Sequence, residues 1–599
     1  MPASWASSWR IKYKVIAYAE QNLFTGQECL AMQLSRMSAI QVDAPILDSK
    51  ITLDHSMIYT LQDMIVRIRP QKMMLLKTTH VPWYLERFNQ GRLICHSSLL
   101  NLDCIINILE FLDNDPATLF ACALVNREWC KIATSILWRD SWRYKKSFQL
   151  PGNEKIQMIS IFLESLPQYH LNTIERKIGI LIMPRKTLFN YAKFVRHIRI
   201  RSLEWHLTKW VQHNAGYYIN EDSPDLRKKV TIISQILLEH ILRSTPTIYG
   251  LNVNSENYTS GSLTSAIRNV PSAKISLANV KIFTFGKIWT TMPRLFEILS
   301  TICYKINTLE ICPSQDIKYT ARLINNQINI KSLTLVDTPS IRLNRHETKN
   351  EYTWDNEIFS ALLYKAKTVT QLTLKNIHLS SLKELNYFEN LEELYITNYV
   401  GDISQKNFQD LSEISLKKLK KFFIISLFSE TYLKNLCKFI KNSKELTHLK
   451  IQGCKLHDPD YSMTWINSLA KNNRNLVSYE GPIGSNDVVA LWIFLDSCKS
   501  LQKLHFQCNN YNSFTSNKDL KSFDNILREL TRKQPVALRK LIVGKGWTVS
   551  CKGVENFIKC RKNLFVPIRF EWDPHTVIIG NINELTKRYC GVINKVHKN

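Results

Sequence analysis

The clearest helical pattern of the chain lies near residue 130. Apolar residues recur there three and four positions apart, at Trp129, Ile132, Ala133, Ile136 and Leu137. This spacing places all five side chains on one face of an α-helix, while the polar residues between them point away. Because such an apolar face must be covered, the pattern predicts a helix that packs against neighbouring helices.

Two further helices are predicted just upstream. The first has an apolar stripe formed by Leu102, Ile105, Ile106, Leu109 and Leu112. Asp115 and Pro116 predict the start of the second, because Asp caps free backbone amides and Pro is tolerated in the first turn. Asn126 predicts the cap of the third helix. Helices this short bury their stripes only against one another, so residues 99–142 should form a small bundle.

A different pattern, LxxLxL, recurs through the C-terminal part of the chain, with Ile, Val or an aromatic residue allowed at each apolar position. Copies lie at residues 306–311, 330–335, 369–374, 391–396, 419–424, 446–451, 501–506 and 538–543, with a degraded copy at 476–481. Earlier copies are predicted at residues 195–200 and 248–253. Most intervals between copies lie near the roughly 20–29 residues of leucine-rich repeats.

Segments of helical spacing separate these copies, so each unit should contain one strand and one helix. A unit this small cannot bury its apolar side alone and must stack on its neighbours. The repeats are degenerate, because the Asn or Cys that would bond the turn after each motif occurs only at Cys454 and Asn509. The sequence predicts an α/β fold in which a leucine-rich-repeat solenoid spans residues 149–599, with a last strand near 569–574 and a capping helix at 582–592.

Alternate strand residues of such an array point to a concave face, where this architecture usually binds. The outward positions are Gln371, Thr373, Glu393, Tyr395, Lys421, Phe423, His448, Lys450, Lys503, His505, Lys540 and Ile542. The candidates for target binding among them are Tyr395, Phe423, His448, Lys450, Lys503 and His505. Lysines beside two aromatic residues suit an acidic partner with an apolar anchor. Each of these residues taken alone is also compatible with an ordinary solvated strand position.

The overall charge is strongly basic. The chain has 79 Lys and Arg against 51 Asp and Glu, a formal net charge of +28. Such an excess favours acidic partners or polyanions when it is clustered on one face. Apolar residues interrupt the short basic runs at 226–229 and 416–421, which favours solvated repeat faces over a nucleic-acid site.

No signature of enzyme chemistry is present. The common phosphate-binding, zinc-binding and acyl-transfer motifs are missing, and only 17 residues are Gly. The 14 cysteines are singly spaced and indicate free thiols in a reducing compartment. The longest apolar run, Val488–Leu495, is far shorter than the roughly 18 residues that a membrane span needs. We therefore expect a soluble cytoplasmic or nuclear protein that is not an enzyme and has no metal or cofactor.

Residues 95–148 resemble the F-box family. The family pattern is LPxE with an apolar helix, then LVxRxW, then a terminal LW. The matching residues are Leu100, Asp103, Ile105, Ile108, Leu109, Leu112, Leu124, Val125, Arg127, Trp129, Leu137 and Trp138. Asn101 departs from the pattern, because the family usually has proline there, at the adaptor contact. Together with the repeats, the resemblance is to the large F-box families of some fungi.

The resemblance implies roles for two sets of residues. The adaptor surface would be formed by Leu100, Asn101, Leu102, Cys104, Ile105 and Ile108. The core of the F-box would be formed by Leu109, Leu112, Leu124, Val125, Trp129, Ile132, Leu137 and Trp138. Residues 1–94 would be an N-terminal extension without a readable pattern.

The resemblance also implies a function. The F-box would dock on a Skp-type adaptor, the adaptor would dock on a cullin, and the repeats would capture a protein for ubiquitination. One alternative is an interaction scaffold of the same fold outside any ligase, which the departure at Asn101 favours. A less favoured alternative is a basic solenoid that binds nucleic acid. Neither reading involves membrane insertion.

Overall fold

The structure is a computed structural model that describes most of the chain after residue 101. The described residues are 102–143, 152–215, 223–253, 260–286, 293–312, 317–336, 356–376, 382–398, 405–429, 432–455, 459–484, 487–507, 521–533, 535–544, 546–563, 568–573, 576–589 and 593–595. The chain divides into two compact units, Met1–Val195 and Arg196–Asn599. Within these ranges, no helix combines the length and the apolar character needed to cross a membrane.

The described part of the first unit is helical. Helices α1 to α5 are Leu102–Glu110, Pro116–Ala123, Arg127–Trp138, Gly152–Glu164 and Gln168–Ile178, and a 3-10 turn follows at Tyr191–Phe194. The two predicted caps are confirmed. The Asp115 carboxylate accepts a hydrogen bond from the Thr118 amide at 3.1 Å, and the Asn126 side chain accepts one from the Trp129 amide at 2.9 Å.

Helices α1, α2 and α3 enclose a small apolar core. Its buried members are Ile105, Leu109, Leu119, Cys122, Ala133 and Ile136, with Leu112, Trp129, Ile132 and Leu137 partly buried around them. Leu124 is half-buried. Arg139 and Arg143 both pair with Asp113, at 2.8 Å each, and this pairing joins the ends of α1 and α3. Burial alone would raise the pKa of Asp113, but hydrogen bonds from the two guanidinium groups outweigh it and the pKa is lowered.

Two residues predicted for this core lie elsewhere. Val125 is 39% exposed, because it falls in the turn between α2 and α3. Trp138 packs on the next elements, with its ring 5.2 Å from that of Phe162 and 4.2 Å from that of Tyr191. It lies at the last residue of α3, where the helix leaves the three-helix core.

The second unit alternates strands and helices. The strands are β1 His197–Arg199, β2 Gly250–Asn252, β3 Ile282–Phe285, β4 Thr308–Ile311, β5 Ser332–Val336, β6 Gln371–Lys375, β7 Glu393–Asn398, β8 Lys421–Ser429, β9 His448–Lys455, β10 Ser478–Pro482, β11 Lys503–Gln507, β12 Lys521–Ser522, β13 Lys540–Val543, β14 Trp547–Ser550, β15 Arg569–Trp572, β16 Val577–Ile579 and β17 Ile593–Lys595. The helices α6 to α19 are Ile200–Asn214, Pro224–Ser244, Ser260–Asn269, Ala273–Leu277, Pro293–Ile302, Ile317–Asn325, Asn356–Lys365, Gln405–Glu413, Leu433–Asn442, Pro459–Asn472, Val488–Ser497, Asp524–Lys533, Cys551–Asn563 and Ile582–Arg588. A 3-10 turn at Lys383–Tyr387 precedes β7.

Fourteen strands form one parallel sheet in chain order, from β1 to β11 and on through β13, β15 and β17. Each strand pairs with the next repeat of the chain, so every unit contacts its sequence neighbours. Strand residues alternate between buried and partly exposed, as in Ser332–Val336, because one face of the sheet is covered by the helices. This arrangement is compatible with a solenoid.

Every predicted copy of the repeat motif falls on a strand, and the degraded copy is β10. The predicted solenoid begins at residue 149, whereas the first strand of the sheet begins at His197. Strand β3 was not predicted, although the buried residues Val280, Phe283 and Phe285 have the spacing of the motif. The predicted final helix ends earlier, at Arg588, and the chain continues into β17.

The last units have a second strand each. Strands β12, β14 and β16 form a separate three-stranded parallel sheet beside the main one. Their pairing joins Ser522 to Thr548 and Val549 to Ile578. This sheet was not predicted from the sequence, because strands of two to four residues are too short to show a periodic pattern.

Buried polar side chains connect successive units where a helix leads into a strand. Ser276 Oγ donates to the Thr245 carbonyl at 2.6 Å, Gln327 Nε2 to that of Cys303 at 2.8 Å, and Asn473 Nδ2 to that of Ser443 at 2.9 Å. Similar bonds come from Cys303, Lys365 and Cys498. We call Ser276, Cys303, Gln327, Lys365, Asn473 and Cys498 the turn ladder. It lies before the strands, whereas the expected Asn or Cys position lies after them.

Candidate functional site

The face of the sheet opposite the helices is a continuous surface built from alternate strand residues. Strand register places one residue of each unit side by side in a row. The central part of this row consists of Thr334, Thr373, Tyr395, Phe423, Lys450, Glu480, His505, Ile542 and Glu571. A second row consists of Ser332, Gln371, Glu393, Lys421, His448, Ser478, Lys503 and Lys540. We call these two rows the sheet face, and all six predicted target-binding residues lie on it.

Two aromatic side chains lie next to each other near its centre. The rings of Tyr395 and Phe423 are 4.7 Å apart and meet edge to face at 89°. The Tyr395 hydroxyl donates a hydrogen bond to Glu393 at 2.8 Å, and Lys421 pairs with the same carboxylate at 2.7 Å. Partial burial and this hydrogen bond raise the pKa of Tyr395, so the phenol stays protonated. The half-buried pair is an apolar spot with a fixed orientation on a polar surface.

Glu480 is the electrostatic centre of the sheet face. It is only 6% exposed although it lies on the outward side of β10. Its carboxylate pairs with Lys450 at 2.8 Å, with His505 Nδ1 at 3.1 Å and with Lys503 at 3.8 Å. It also accepts hydrogen bonds from two amide side chains, those of Gln452 at 2.6 Å and Gln507 at 3.4 Å. Five side chains of the two flanking strands, β9 and β11, therefore converge on one carboxylate of β10.

The surroundings of Glu480 set its charge. Burial alone would raise its pKa, but the hydrogen bond and charge of His505 and the charge of Lys450 outweigh burial and lower the pKa to about 2. On the neighbouring strand, burial and the charge of Lys421 lower the pKa of His448. Glu480 is therefore ionised across the physiological range, and the lowered pKa of His448 favours its neutral form.

The lysines of the sheet face are largely neutralised. Lys421, Lys450 and Lys503 pair with Glu393 and Glu480, and Lys540 pairs with Glu571 at 2.8 Å. Glu571 is 7% exposed and also pairs with Arg569 at 3.0 Å. The sheet face thus presents ion pairs around an aromatic pair. An acidic partner for these lysines stays a prediction.

Sequence reasoning predicted the outward position of Glu393 but missed Glu480 and Glu571, the two buried carboxylates of this surface. Glu480 lies in the degraded repeat, where Tyr479 takes the place of the second leucine. Aligning Tyr479 with Leu449 and Leu504 would have placed Glu480 between Lys450 and His505. The position of Glu480 could therefore have been predicted, but the degraded motif was not aligned with its neighbours.

The predicted adaptor surface is divided by the structure. Leu102 is 46% exposed, Cys104 is exposed and Ile108 is half-buried. Ile105 is 6% exposed and belongs to the three-helix core, because it lies one turn before Leu109 on the same side of α1. Its assignment to the surface is therefore corrected. Leu100 and Asn101 lie outside the described residues.

In the part of the chain that the structure describes, no group of three or more His, Cys, Asp and Glu side chains could hold a metal ion. Burial raises the pKa of the Cys122 thiol to about 11 and that of Cys498 to about 12, which makes both weak nucleophiles. These cysteines contribute to packing.

The chain was compared with known proteins. No model of a protein family matches it, and no curated protein matches it either.

Proposed function

We propose that this chain is a substrate-recognition subunit of a Skp–cullin–F-box ubiquitin ligase. Helices α1 to α3 would dock a Skp-type adaptor, and the leucine-rich repeats would bind the target protein through the sheet face. One observation carries the proposal: a small three-helix bundle with its own core precedes an array of strand–helix units in the same chain. The resemblance of residues 95–148 to the F-box family supplies the role of the bundle.

Exposed apolar side chains at the two ends of α1 support adaptor docking. Leu102 and Phe111, at and just beyond its two ends, are 46% and 47% exposed. Large apolar side chains left in water are favourable sites for a protein partner, because covering them removes apolar surface from water. This surface is small and would have to be extended by the residues before Leu102.

The sheet face supports target recognition. Tyr395 and Phe423 provide an aromatic anchor, and the surrounding ion pairs provide directed polar groups. Interfaces commonly combine a central aromatic anchor with a polar rim. We therefore expect the target to insert an apolar side chain near Tyr395 and to contact the rim with neutral or mixed charges.

The decisive experiment is binding of the purified full-length chain to a Skp-type adaptor. Leu102→Asp should weaken binding about tenfold or more, because it places a charge in an apolar contact. Val489→Asp is the matched control, since Val489 is 66% exposed on α16, in the array. Asn101→Pro restores the residue usual in the family and should strengthen binding. Ile105→Ala is unsuitable as a surface probe, because it would damage the core.

Two results would count against the ligase role. The first is no adaptor binding by the wild-type chain or by Asn101→Pro. The second is equal binding by Leu102→Asp and Val489→Asp. Either result would favour the second candidate, a recognition scaffold that uses the sheet face without a ligase.

A further inference from the structure

A second surface lies where helices lead into strands β2 to β6. The turns are residues 245–249, 278–281, 303–307, 326–331 and 366–370, and they contain no Asp or Glu. Their cations are Lys281, Lys305, Lys331 and Lys367, all exposed. We call the five turns, these four lysines and the nearby Tyr249, Tyr304 and Tyr364 the turn edge.

Backbone hydrogen bonds hold the turns side by side. The Lys281 amide donates to the Tyr249 carbonyl at 2.8 Å, and the Asn307 amide donates to that of Lys281 at 2.9 Å. The series continues from Lys331 to Asn307 at 2.8 Å and from Thr370 to Lys331 at 2.9 Å. The turn edge is therefore one continuous strip, with neighbouring turns at about the 4.8 Å spacing of paired strands.

The lysines of this strip differ from those of the sheet face. Among the residues that the structure describes, none of the four lies within ion-pair distance of a carboxylate. Lys305 donates to the Asn279 side chain at 2.9 Å and lies 5.8 Å from the ring centre of Tyr304. Lys281 lies 5.3 Å from the ring centre of Tyr249. Within the described residues, these four charges therefore meet no carboxylate, and their five turns contain no acidic residue.

Tyrosines are interleaved with these cations. Tyr249 is 40% exposed, Tyr304 is 43% exposed and Tyr364, in the last turn of α12, is 76% exposed. Lys365 lies 4.7 Å from the ring centre of Tyr364 and is itself anchored by a hydrogen bond to the Gln327 carbonyl at 2.6 Å. The rings thus offer flat, partly open surfaces beside positive charges.

We propose that the turn edge binds single-stranded nucleic acid, with phosphates on the lysines and bases stacked on the tyrosines. Proteins that bind single strands without sequence readout combine these two features, a basic track and aromatic platforms. An acidic peptide would use the cations but has no need of three exposed rings. This activity is separate from the proposed ligase role and uses a different surface from the sheet face.

The test uses the full chain with a fluorescent oligouridine or oligothymidine of about 20 nucleotides, measured by anisotropy. The edge variant combines Lys281→Glu, Lys305→Glu and Lys331→Glu. The control combines Lys228→Glu, Lys318→Glu and Lys438→Glu, which change the charge equally at exposed helix positions. The edge variant should bind at least about tenfold more weakly than the control. The slope of log binding constant against log salt concentration should be shallower by about two in the edge variant. Each lost phosphate contact in a single strand removes about 0.7 from this slope, and three lysines are replaced.

A second pair of variants separates nucleic acid from acidic peptide. Replacing Tyr304 and Tyr364 by Ala should weaken oligonucleotide binding about tenfold, while replacing both by Phe should preserve it, since Phe retains the stacking surface. Thermal unfolding of each variant checks the fold.

Tighter binding of polyglutamate than of either oligonucleotide, with no effect of the Ala variant, would assign the edge to an acidic peptide and overturn the proposal. Absence of oligonucleotide binding, or equal loss in edge and control variants, would also overturn it. Comparison of the two oligonucleotides distinguishes RNA from DNA.

Discussion

The sheet face and the turn edge are both rich in lysine, but they use it differently. On the sheet face, Lys450 and Lys503 meet the buried carboxylate of Glu480, and Lys540 meets Glu571. At the turn edge, Lys331 forms no ion pair with the described residues, and its own turn contains no Asp or Glu. Strand register explains the first case, because it brings acids and bases of adjacent units side by side. The net charge of +28 therefore says little about a surface until each lysine has been placed.

This difference assigns the two surfaces different duties. Charges that meet partners within the chain contribute to stability and orient neighbouring side chains. Charges that meet none contribute little to folding and are available for a ligand. The predictions below test this division, beginning with the largest expected effect.

Glu480→Ala should lower the free energy of unfolding by about 3–4 kcal/mol, because removing one partner leaves Lys450 and His505 half-buried without compensation. Glu393→Ala is the matched control on the same face, and its effect should be nearer 1 kcal/mol because Glu393 is more exposed and pairs with one lysine. Chemical denaturation measures both. Equal effects would mean that Glu480 has no special place on the sheet face.

Acid should lower the free energy of unfolding through protonation of Glu480. Its pKa is lowered from 4.5 to about 2 in the folded chain, so below pH 4.5 the unfolded chain takes up the proton first. The contribution is complete above pH 4.5 and is lost as the pH falls toward 2, amounting to about 3 kcal/mol. The difference in unfolding free energy between wild type and Glu480→Gln, followed from pH 6 to pH 2.5, isolates it. A difference independent of pH would contradict the assignment.

In the turn ladder, stability should depend on uncharged side chains. Asn473→Ala removes two buried hydrogen bonds, to the Ile440 and Ser443 carbonyls, and should cost about 2 kcal/mol because these bonds join successive units in the core. Asn472→Ala is the neighbouring control, because Asn472 bonds only within its own helix, to Ser468. Its cost should stay below about 1 kcal/mol. Thermal and urea unfolding compare the two variants.

The smallest effect compares two lysines directly. Lys450→Ala should cost about 1–2 kcal/mol, because Lys450 is three-quarters buried and pairs with Glu480. Lys331→Ala should change the unfolding free energy by less than about 0.5 kcal/mol, because its exposed side chain forms no ion pair with the described residues. If the two losses were the same, the contrast between the surfaces would disappear.

Much of the fold follows from the sequence because its signals are local. The caps at Asp115 and Asn126 mark helix starts through bonds that span three residues. The leucines of the repeat motif mark strands because every second residue must enter the core. Strand β3 was equally predictable, because Val280, Phe283 and Phe285 have the spacing of the motif, but it was missed.

The organisation of the surfaces is less predictable, because it depends on contacts between units. Ile105 was assigned to the surface from a resemblance, whereas its burial depends on where α2 and α3 pack. Glu480 and Lys450 are 30 residues apart in sequence and meet only through the register of β9 and β10. The outward direction of Tyr395 and Phe423 was predictable, since alternation alone fixes it. Their edge-to-face contact was not.

The turn ladder has a direction. Ser276, Gln327 and Asn473 each donate to carbonyls of the unit that precedes them in the chain. During synthesis on the ribosome, the acceptors therefore emerge before the donors that bind them. Each new unit leaves the exit tunnel with its docking partner already made, and folding can advance from the N-terminal side one unit at a time. In a chain whose synthesis stops midway, the donors of the completed units would already be bonded, and the carbonyls of the last unit would still await their donor.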